Sequence, residues 1–332
     1  MPSCPKCGKK FSTLQALNDH FRSVHPNEKF VPPKQASSAR ILIVIIVIVL
    51  IAVGSGAGYL IYTQSNNTST TTTAVCTSCI GEAVSNALYQ NLSGVSASTL
   101  NTIGSGQGVT APTSISGASL LTNDGKPEVL YIGGDYCPYC AAERWALIVA
   151  LSKFGTFANL SLMLSSPSDS AGANIATFTF TNSSYTSSYV SFVPIEAYDR
   201  SGNQIQTIPA ADSALQSKYD SGLSIPFVDL GNLYYAVGAQ YLPQVLFTGD
   251  SLSGSPYNWT QIGSQLDNPS SSIAKAIDGT ANTLVSAICK MTSGNPSSVC
   301  GQSYASSLAI IPGISGSPSS IVVPLSREAR LD

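Results

Sequence analysis

The segment "EVLYIGGDYCPYCAAERWALIVALSKF", residues 128–154, places two cysteines between an apolar run and a run whose apolar residues recur at helical spacing. This pattern predicts a strand, a short turn and a helix, with Cys137 at the helix N-terminus and Cys140 one turn inside. Helix N–H groups stabilise a thiolate there, and the fixed φ of Pro138 suits a first helical residue. We expect Cys137 to be exposed and reactive, and Cys140 to be partly buried.

The pair Cys137 and Cys140 allows three interpretations. A redox-active dithiol is the leading one, a static disulfide in a domain that only binds partners is the second, and a metal site is the third. A zinc site needs further ligands, and no histidine follows His25. The same absence excludes a Ser-His-Asp triad and a histidine-activated cysteine in that part of the chain.

The stretch "GKPEVLYIGGDYCPYCAAERW", residues 125–145, resembles the active-site strand, loop and helix of the thioredoxin superfamily, with a Pro-Tyr centre similar to glutaredoxins. The resemblance implies a thioredoxin-like α/β fold in which Cys137 attacks and Cys140 resolves. It also implies a cis-proline that faces the dithiol just before a strand. The stretch "LSIPFVDLGNLYYAVGA" supplies Pro226 as the candidate for that role, aligning the partner chain.

One residue departs from the superfamily pattern. A buried acid, used as a proton relay, normally stands six residues before the first active cysteine, and Tyr131 occupies that place here. Asp135 and Glu143 are near in sequence but on other elements. Deprotonation of the buried thiol then relies on water, on Glu143 or on Tyr136. The departure favours a slower oxidase or isomerase over a fast reductase.

The distance in sequence from Cys140 to Pro226 exceeds what a minimal thioredoxin needs, so we expect a β-rich and then helical insertion over residues 166–222. The stretch "ICKMTSGNPSSVC" and the segment around CPYC together resemble a narrower group over residues 80–301. It is the membrane-tethered archaeal family catalogued as domain of unknown function 929. That resemblance implies a thioredoxin-like fold and a thermoacidophile setting, and it assigns no activity.

Four further cysteines follow residue 75. Cys289 and Cys300 enclose ten residues that include a glycine and a proline, and a structural disulfide is expected outside the cell. Cys76 and Cys79 form either a local structural disulfide, which is favoured, or a second exchange pair that passes electrons to Cys137.

Residues 41–63 form a run of 23 residues without a charge, long enough to cross a bilayer. Seven basic residues precede this run, and the next one is Lys126. Because the positive side of a membrane span stays in the cytoplasm, we expect a single-pass protein with a cytoplasmic N-terminus and an extracellular main domain. Only 10% of the residues are charged and the net charge is −2, which suits an extracellular, acidic setting.

The first segment, "CPKCGKKFSTLQALNDHFRSVH", has the spacing C-x2-C-x12-H-x4-H. A hairpin that supplies two thiolates and a helix that supplies two imidazoles satisfy the tetrahedral preference of Zn²⁺, so the predicted ligands are Cys4, Cys7, His20 and His25. The segment resembles the C2H2 zinc-finger family, which implies a ββα fold that requires its metal.

The finger is not expected to read DNA sequence. Its helix positions −1, 3 and 6 are Thr13, Ala16 and Asp19, none suited to a bidentate base contact, and one finger covers only about 3 base pairs. A contact with a cytoplasmic protein, or a structural role next to the membrane, is favoured.

The sequence thus predicts an α/β protein with six segments: a C2H2 finger at 1–28, a basic linker at 29–40, a transmembrane helix at 41–63, a Ser/Thr-rich stalk at 64–75, a thioredoxin-like domain at 76–301 and a Ser/Pro-rich tail at 302–332. The leading hypothesis is a membrane-anchored thiol–disulfide oxidoreductase that acts on extracytoplasmic thiol or disulfide proteins. Structural zinc is expected in the finger, and no organic cofactor. A redox-inert binding module and a finger that tethers a cytoplasmic partner remain as alternatives.

Overall fold

The computed structural model describes residues 3–4, 6–10, 20, 24, 75–310 and 325–326. The chain divides into two units, Met1–Thr70 and Thr71–Asp332. The predicted span at 41–63, the linker before it, stalk residues 64–74 and the fourth finger ligand His25 lie outside the described residues. Within the described ranges, no helix combines the length and apolar character needed to cross a membrane.

The second unit contains both helices and strands. Its α-helices are α1 (Asn86–Ser93), α2 (Ala97–Ile103), α3 (Pro138–Leu151), α4 (Ala210–Tyr219), α5 (Trp259–Gly263), α6 (Ser272–Met291) and α7 (Ser297–Cys300). Its strands are β1 (Thr113–Ser114), β2 (Leu121–Asn123), β3 (Lys126–Gly134), β4 (Gly155–Ala158), β5 (Ser161–Leu164), β6 (Ala176–Thr179), β7 (Ser184–Ser187), β8 (Ser191–Tyr198), β9 (Phe227–Leu230), β10 (Tyr234–Val237) and β11 (Leu325–Ser326). Short 3-10 helices cover Thr77–Cys79, Pro243–Leu246, Thr248–Asp250 and Ser303–Ile310.

Seven of the described strands form one mixed sheet around β3. Strand β8 runs parallel to β3, with Ile132 beside Ile195, and β9 runs antiparallel on the other edge, with Ile132 beside Phe227. Strand β10 pairs antiparallel with β9. Strands β1, β2 and β11 extend the sheet through short pairings. The α/β class expected from the sequence is therefore confirmed.

The two faces of the sheet bury different side chains because successive residues of a strand point to opposite sides. Val129 and Tyr131 of β3 belong to the large core that includes α3 and α6. Leu130 and Ile132 face the other way and pack with a smaller group that includes Leu215 of α4. The sheet thus lies between helices on both faces.

Helix α3 is buried almost all round, which explains why its sequence is nearly all apolar. Helices α1 and α6 and strand β6 all pack against it. The indole Nε1 of Trp145 donates a hydrogen bond of 2.8 Å to the carbonyl oxygen of Ala176 in β6. This packing fixes the helix that carries the two cysteines at its N-terminus.

The expected insertion at 166–222 is only partly separate from the main sheet. Strands β6 and β7 do lie apart, in two-stranded antiparallel pairs with β5 and β4. Strand β8, in contrast, is the parallel neighbour of β3, and α4 covers the smaller core. The prediction of one continuous insertion was therefore wrong, because an apolar strand such as "SFVPIEAY" looks the same in an accessory hairpin and in the central sheet.

The first residues of the predicted tail belong to the folded unit. Tyr304 and Leu308 are buried in the large core. The backbone N–H of Tyr304 donates to Asn101 Oδ1 at 2.9 Å, and that of Leu308 donates to Ser286 Oγ at 3.3 Å.

Candidate redox site

The first cysteine of the CPYC motif caps helix α3. Cys137 has extended backbone angles, φ −75° and ψ 123°, and its Sγ accepts a hydrogen bond of 3.2 Å from the backbone N–H of Cys140. Pro138 occupies the first turn, where its missing N–H has no cost. Because the first N–H groups of a helix lack partners within the helix, they are available to a sulfur that carries negative charge.

A proline loop lies against this cysteine. The peptide bond between Ile225 and Pro226 is cis, as predicted, and β9 begins at the next residue. The Sγ of Cys137 donates to the carbonyl oxygen of Ile225 at 3.7 Å. Two segments 88 residues apart in sequence, one the start of a helix and the other the entry to a strand, therefore meet at one sulfur atom.

Both thiols are more buried than the sequence suggested. Cys137 is only 5% exposed, so the expectation of an exposed thiol was wrong, and Cys140 is completely buried rather than partly so. The Ile225 backbone packed against Cys137 is the physical reason, since a helix N-terminus alone leaves its cap open to solvent. The side chain between them that reaches solvent is Tyr139, at 38% exposed.

The surroundings push the pKa values of the two thiols apart. Hydrogen bonding from Cys140, through its thiol and its backbone N–H, and the positive charge of Arg144 lower the pKa of Cys137, against burial, which raises it. Burial raises the pKa of Cys140, and so does the neighbouring Cys137. The arrangement makes Cys137 the thiol that ionises first.

The remaining cysteines of the unit are cross-linked. Cys76 is bonded to Cys79 and Cys289 to Cys300, as expected, whereas Cys137 and Cys140 are free thiols. The CPYC pair is therefore in its dithiol form.

Glu143, one of the suggested proton acceptors for the dithiol, faces a different part of the core. Its Oε2 accepts a hydrogen bond of 3.0 Å from the backbone N–H of Gln240. Burial raises the pKa of Glu143 to about 7, and the bond from Gln240 opposes the rise. Neither cause involves a cysteine. Tyr136, the other suggestion, stands next to Cys137 and packs edge-on against Tyr198 at 5.9 Å between ring centroids.

A buried ion cluster close to the dithiol was not predicted. Arg144 donates to both carboxylate oxygens of Glu196, at 2.9 Å from Nε and 2.7 Å from Nη2, and its Nη2 also lies 3.5 Å from Asp135 Oδ1. All three side chains are buried. The sequence did carry a signal, because a charged residue in an apolar helix and another in an apolar strand are costly unless they pair.

A cleft of about 290 Å³ opens at Tyr136. Tyr136, Ser166 and Arg200 are among the residues that line it, and the backbone N–H of Ser166 donates to the carbonyl oxygen of Tyr136 at 2.8 Å. The cleft therefore borders the residue that precedes Cys137 in the chain.

In the first unit, three of the four predicted zinc ligands converge. Ligand atoms of Cys4, Cys7 and His20 all lie within 4.8 Å of one another, and Cys7 Sγ is 3.3 Å from His20 Nε2. The backbone N–H of Cys4 donates to the carbonyl oxygen of Lys9 at 2.8 Å, which closes a turn that carries both cysteines. Two thiolates and an imidazole form a donor set that suits Zn²⁺.

Fold and site together define an α/β protein with a buried cysteine pair at a helix N-terminus, set against a cis-proline. Residues 113–290, more than half of the chain, match the family described as a domain of unknown function, DUF929. The chain belongs to this family, as its sequence indicated. No curated protein and no solved structure matches it.

Proposed function

We propose that this protein is a membrane-anchored, extracytoplasmic thiol–disulfide oxidoreductase that works as an oxidase or isomerase. The observation that carries the proposal is the environment of one sulfur atom. Cys137 Sγ accepts a hydrogen bond from the helix N-terminus and touches the carbonyl oxygen that precedes a cis-proline. A static disulfide has no need of either feature.

The chain order around the site supports a thioredoxin-like fold. Strand β3 leads through the cysteine pair into α3, then to the parallel strand β8, to α4 on the opposite face, to the antiparallel strands β9 and β10, and to α6. This is the order that the resemblance of the CPYC segment to the thioredoxin superfamily implies. The hairpins β4–β7 and β5–β6 are then additions to that core.

The reaction we propose is thiol–disulfide exchange in two steps. The Cys137 thiolate attacks one sulfur of a partner disulfide, a bond forms between them, and the other partner sulfur leaves as a thiolate that takes up a proton. Cys140 then loses its proton and attacks the Cys137 sulfur, which forms the Cys137–Cys140 disulfide and releases the second partner thiol. These steps reduce the partner, and the oxidase runs them in reverse, so that the Cys137–Cys140 disulfide passes to a partner dithiol; in both directions two electrons move.

Roles follow from the two environments. Cys137 acts first because its pKa is lowered, and Cys140 resolves because it is buried one turn deeper. Pro226 and its neighbours align the partner chain. The uncharged run at 41–63, with basic residues before it, anchors the domain on the outer face of the cell membrane.

Trapping of mixed disulfides tests the proposal in the native membrane. Cys140→Ser should accumulate partners bonded to Cys137, because no thiol remains to resolve them, and Cys137→Ser should accumulate few. Cys76→Ser, a change in the second C-x2-C pair of the same unit, is the matched control and should not increase the amount of partner trapped on Cys137. Accumulation in Cys137→Ser instead reverses the roles. Absence of trapping in both variants favours the redox-inert binding module.

We also propose that the N-terminal unit holds one structural Zn²⁺. Cys4, Cys7 and His20 supply three donors that already converge, and His25 is the fourth by spacing. The ion would complete the fold of the finger, whose favoured partner is a cytoplasmic protein. Purified full-length protein should contain about one zinc per chain by elemental analysis. His20→Ala should lose it, and a ratio near zero in the wild type contradicts the proposal.

The orientation is tested by labelling intact cells with a membrane-impermeant thiol reagent after mild reduction. Cys137 should be modified, and Cys4 and Cys7 should not. The opposite pattern reverses the topology.

A further inference from the structure

We propose that Arg144 is a positioning residue for the dithiol. Its guanidinium, held in place by Glu196 and Asp135, stabilises the thiolate of Cys140 during the resolving step. The inference rests on the proposed function. The superfamily that the site resembles has a proton-relaying acid at the position of Tyr131. Arg144 gives this chain a different means of ionising Cys140.

Helix geometry places the cation beside the resolving thiol. Cys140 and Arg144 are four residues apart on α3, so they lie on the same face in consecutive turns. Side chains of a helix lean towards its N-terminus, which brings the stem of Arg144 over the turn that carries Cys140. Both side chains are completely buried, so water does not screen the charge between them.

The ion cluster leaves part of the guanidinium unused. Nε and Nη2 donate to Glu196, and Nη2 approaches Asp135. Nη1 is buried and has no hydrogen-bond partner among the described residues. A buried donor without a hydrogen-bond partner costs free energy. The cost is recovered if an acceptor for Arg144 Nη1 forms at another stage of the reaction. A thiolate at Cys140 is an acceptor of that kind.

The charge balance of the cluster can also change. Burial raises the pKa of Asp135 to about 6, and Arg144 opposes the rise. When Asp135 is protonated, Arg144 and Glu196 form a neutral pair. A negative charge on the Cys140 sulfur then meets less repulsion from the cluster. The net charge of the cluster beside Cys140 therefore depends on whether Asp135 is protonated.

The other groups that face Cys140 do not replace Arg144. Burial and the sulfur of Cys137 raise the pKa of Cys140, while Arg144 and the backbone N–H of Gly134 lower it. Tyr131 of β3 lies under the guanidinium, 5.8 Å from its carbon to the ring centroid, and its hydroxyl has no partner among the described residues. Burial keeps that phenol neutral.

The test titrates Cys140 in full-length protein with Cys137 changed to Ser, following thiolate absorbance against pH. The double change Arg144→Met with Glu196→Gln removes the cation and the charge of Glu196 together, and leaves Asp135, whose pKa burial already raises, as the remaining carboxyl group of the cluster. We expect the ionisation midpoint of Cys140 to rise by about one pH unit or more. Lys218→Met removes a cation from α4 and is the matched control, expected to leave the midpoint unchanged.

A second variant separates an electrostatic role from a structural one. Glu196→Gln alone keeps Arg144 and removes the charge that neutralises it, so the midpoint of Cys140 should fall, opposite to the double variant. It also remains informative if the double variant does not fold, which circular dichroism checks. An unchanged midpoint in the double variant, or a rise in Glu196→Gln, overturns the inference.

The inference and the proposed function fail separately. If the wild-type dithiol does not exchange with glutathione, the oxidoreductase proposal is wrong, whatever the titrations give. If the wild type exchanges and resolution by Cys140 has the same pH profile in the double variant, the oxidoreductase stands and the role of Arg144 is refuted.

Discussion

Two cysteine pairs of the second unit have the same C-x2-C spacing but differ in their bonding. Cys137 and Cys140 are free thiols at the start of the 14-residue helix α3, and the Cys137 sulfur accepts a hydrogen bond from that helix. Cys76 and Cys79 are bonded to each other across a 3-10 turn of three residues, and the Cys76 side chain makes no cap hydrogen bond. Spacing alone therefore does not decide the chemistry.

The difference lies in the element that follows each pair. A long helix supplies aligned backbone dipoles and a packed interior, so one thiol can be acidic and the other buried. A single 3-10 turn supplies neither. We therefore expect the pair on α3 to exchange and the pair at residues 76–79 to stabilise the fold.

The largest difference between the two pairs is expected when one thiol is removed from each. Cys137→Ser should lower the rate of exchange with an aromatic disulfide reporter by about three orders of magnitude, because the thiolate is the nucleophile. Cys76→Ser should leave the rate on α3 nearly unchanged. The rate is read from the released aromatic thiolate, and Cys79 is also changed to Ser in the Cys76→Ser variant so that no new thiol remains there. Similar losses in both variants would mean that the two pairs act together.

The pH dependence of stability should also distinguish the region around α3. Glu143 binds its proton more tightly in the folded chain, where burial raises its pKa to about 7 from the ordinary value of 4.5. Unfolding then releases a proton, so the free energy of unfolding should fall as the pH rises between these two values. A shift of this size corresponds to about 3 kcal/mol.

The measurement is chemical denaturation from about pH 4 to about pH 8, in the wild type and in Glu143→Gln. The amide cannot ionise, so the variant should lose less stability across the window. Burial also raises the pKa values of Asp278 and Asp135, so a residual fall of the same sign should remain. A wild type that gains stability from about pH 5 to about pH 7 would contradict the account.

The smallest effect is expected from the 76–79 disulfide itself. Replacing Cys76 and Cys79 by Ala should reduce the free energy of unfolding by about 2 kcal/mol, because the closed loop is short. Replacing Cys289 and Cys300 should cost about 3 kcal/mol, since that loop is longer. Denaturation without reductant gives both values. A larger decrease in the free energy of unfolding at residues 76–79 would show that this disulfide stabilises more of the fold than its own turn.

Local features of the site could be predicted from the sequence. The apolar run, Pro138 and the helical periodicity indicated β3 and α3, because each depends on neighbouring residues. The cis peptide before β9 was expected only from the resemblance of the CPYC segment to a known superfamily. The chain also showed by spacing which cysteines could pair. These patterns act over a few residues, where propensity and backbone constraint decide the structure.

Features that depend on long-range packing could not be predicted. Glu196 meets Arg144 across 52 residues, and Ile225 meets Cys137 across 88. The burial of Cys137 follows from the second contact, and the central position of β8 follows from sheet pairing rather than from its own composition. Arg144 and Glu196 were visible as charges within apolar runs, which indicated that each has a partner but not which one.

We propose that Cys137 and Cys140 form a working redox pair. The reduction potential of the pair tests this directly. Full-length protein in detergent is equilibrated with glutathione buffers, its thiols are trapped, and the state of each pair is read by mass spectrometry. The account predicts a midpoint for Cys137–Cys140 above about −300 mV, in the range of about −270 to −120 mV known for exchange proteins, while Cys289–Cys300 stays oxidised. A midpoint for Cys137–Cys140 far below about −300 mV would identify a structural disulfide and contradict the claim.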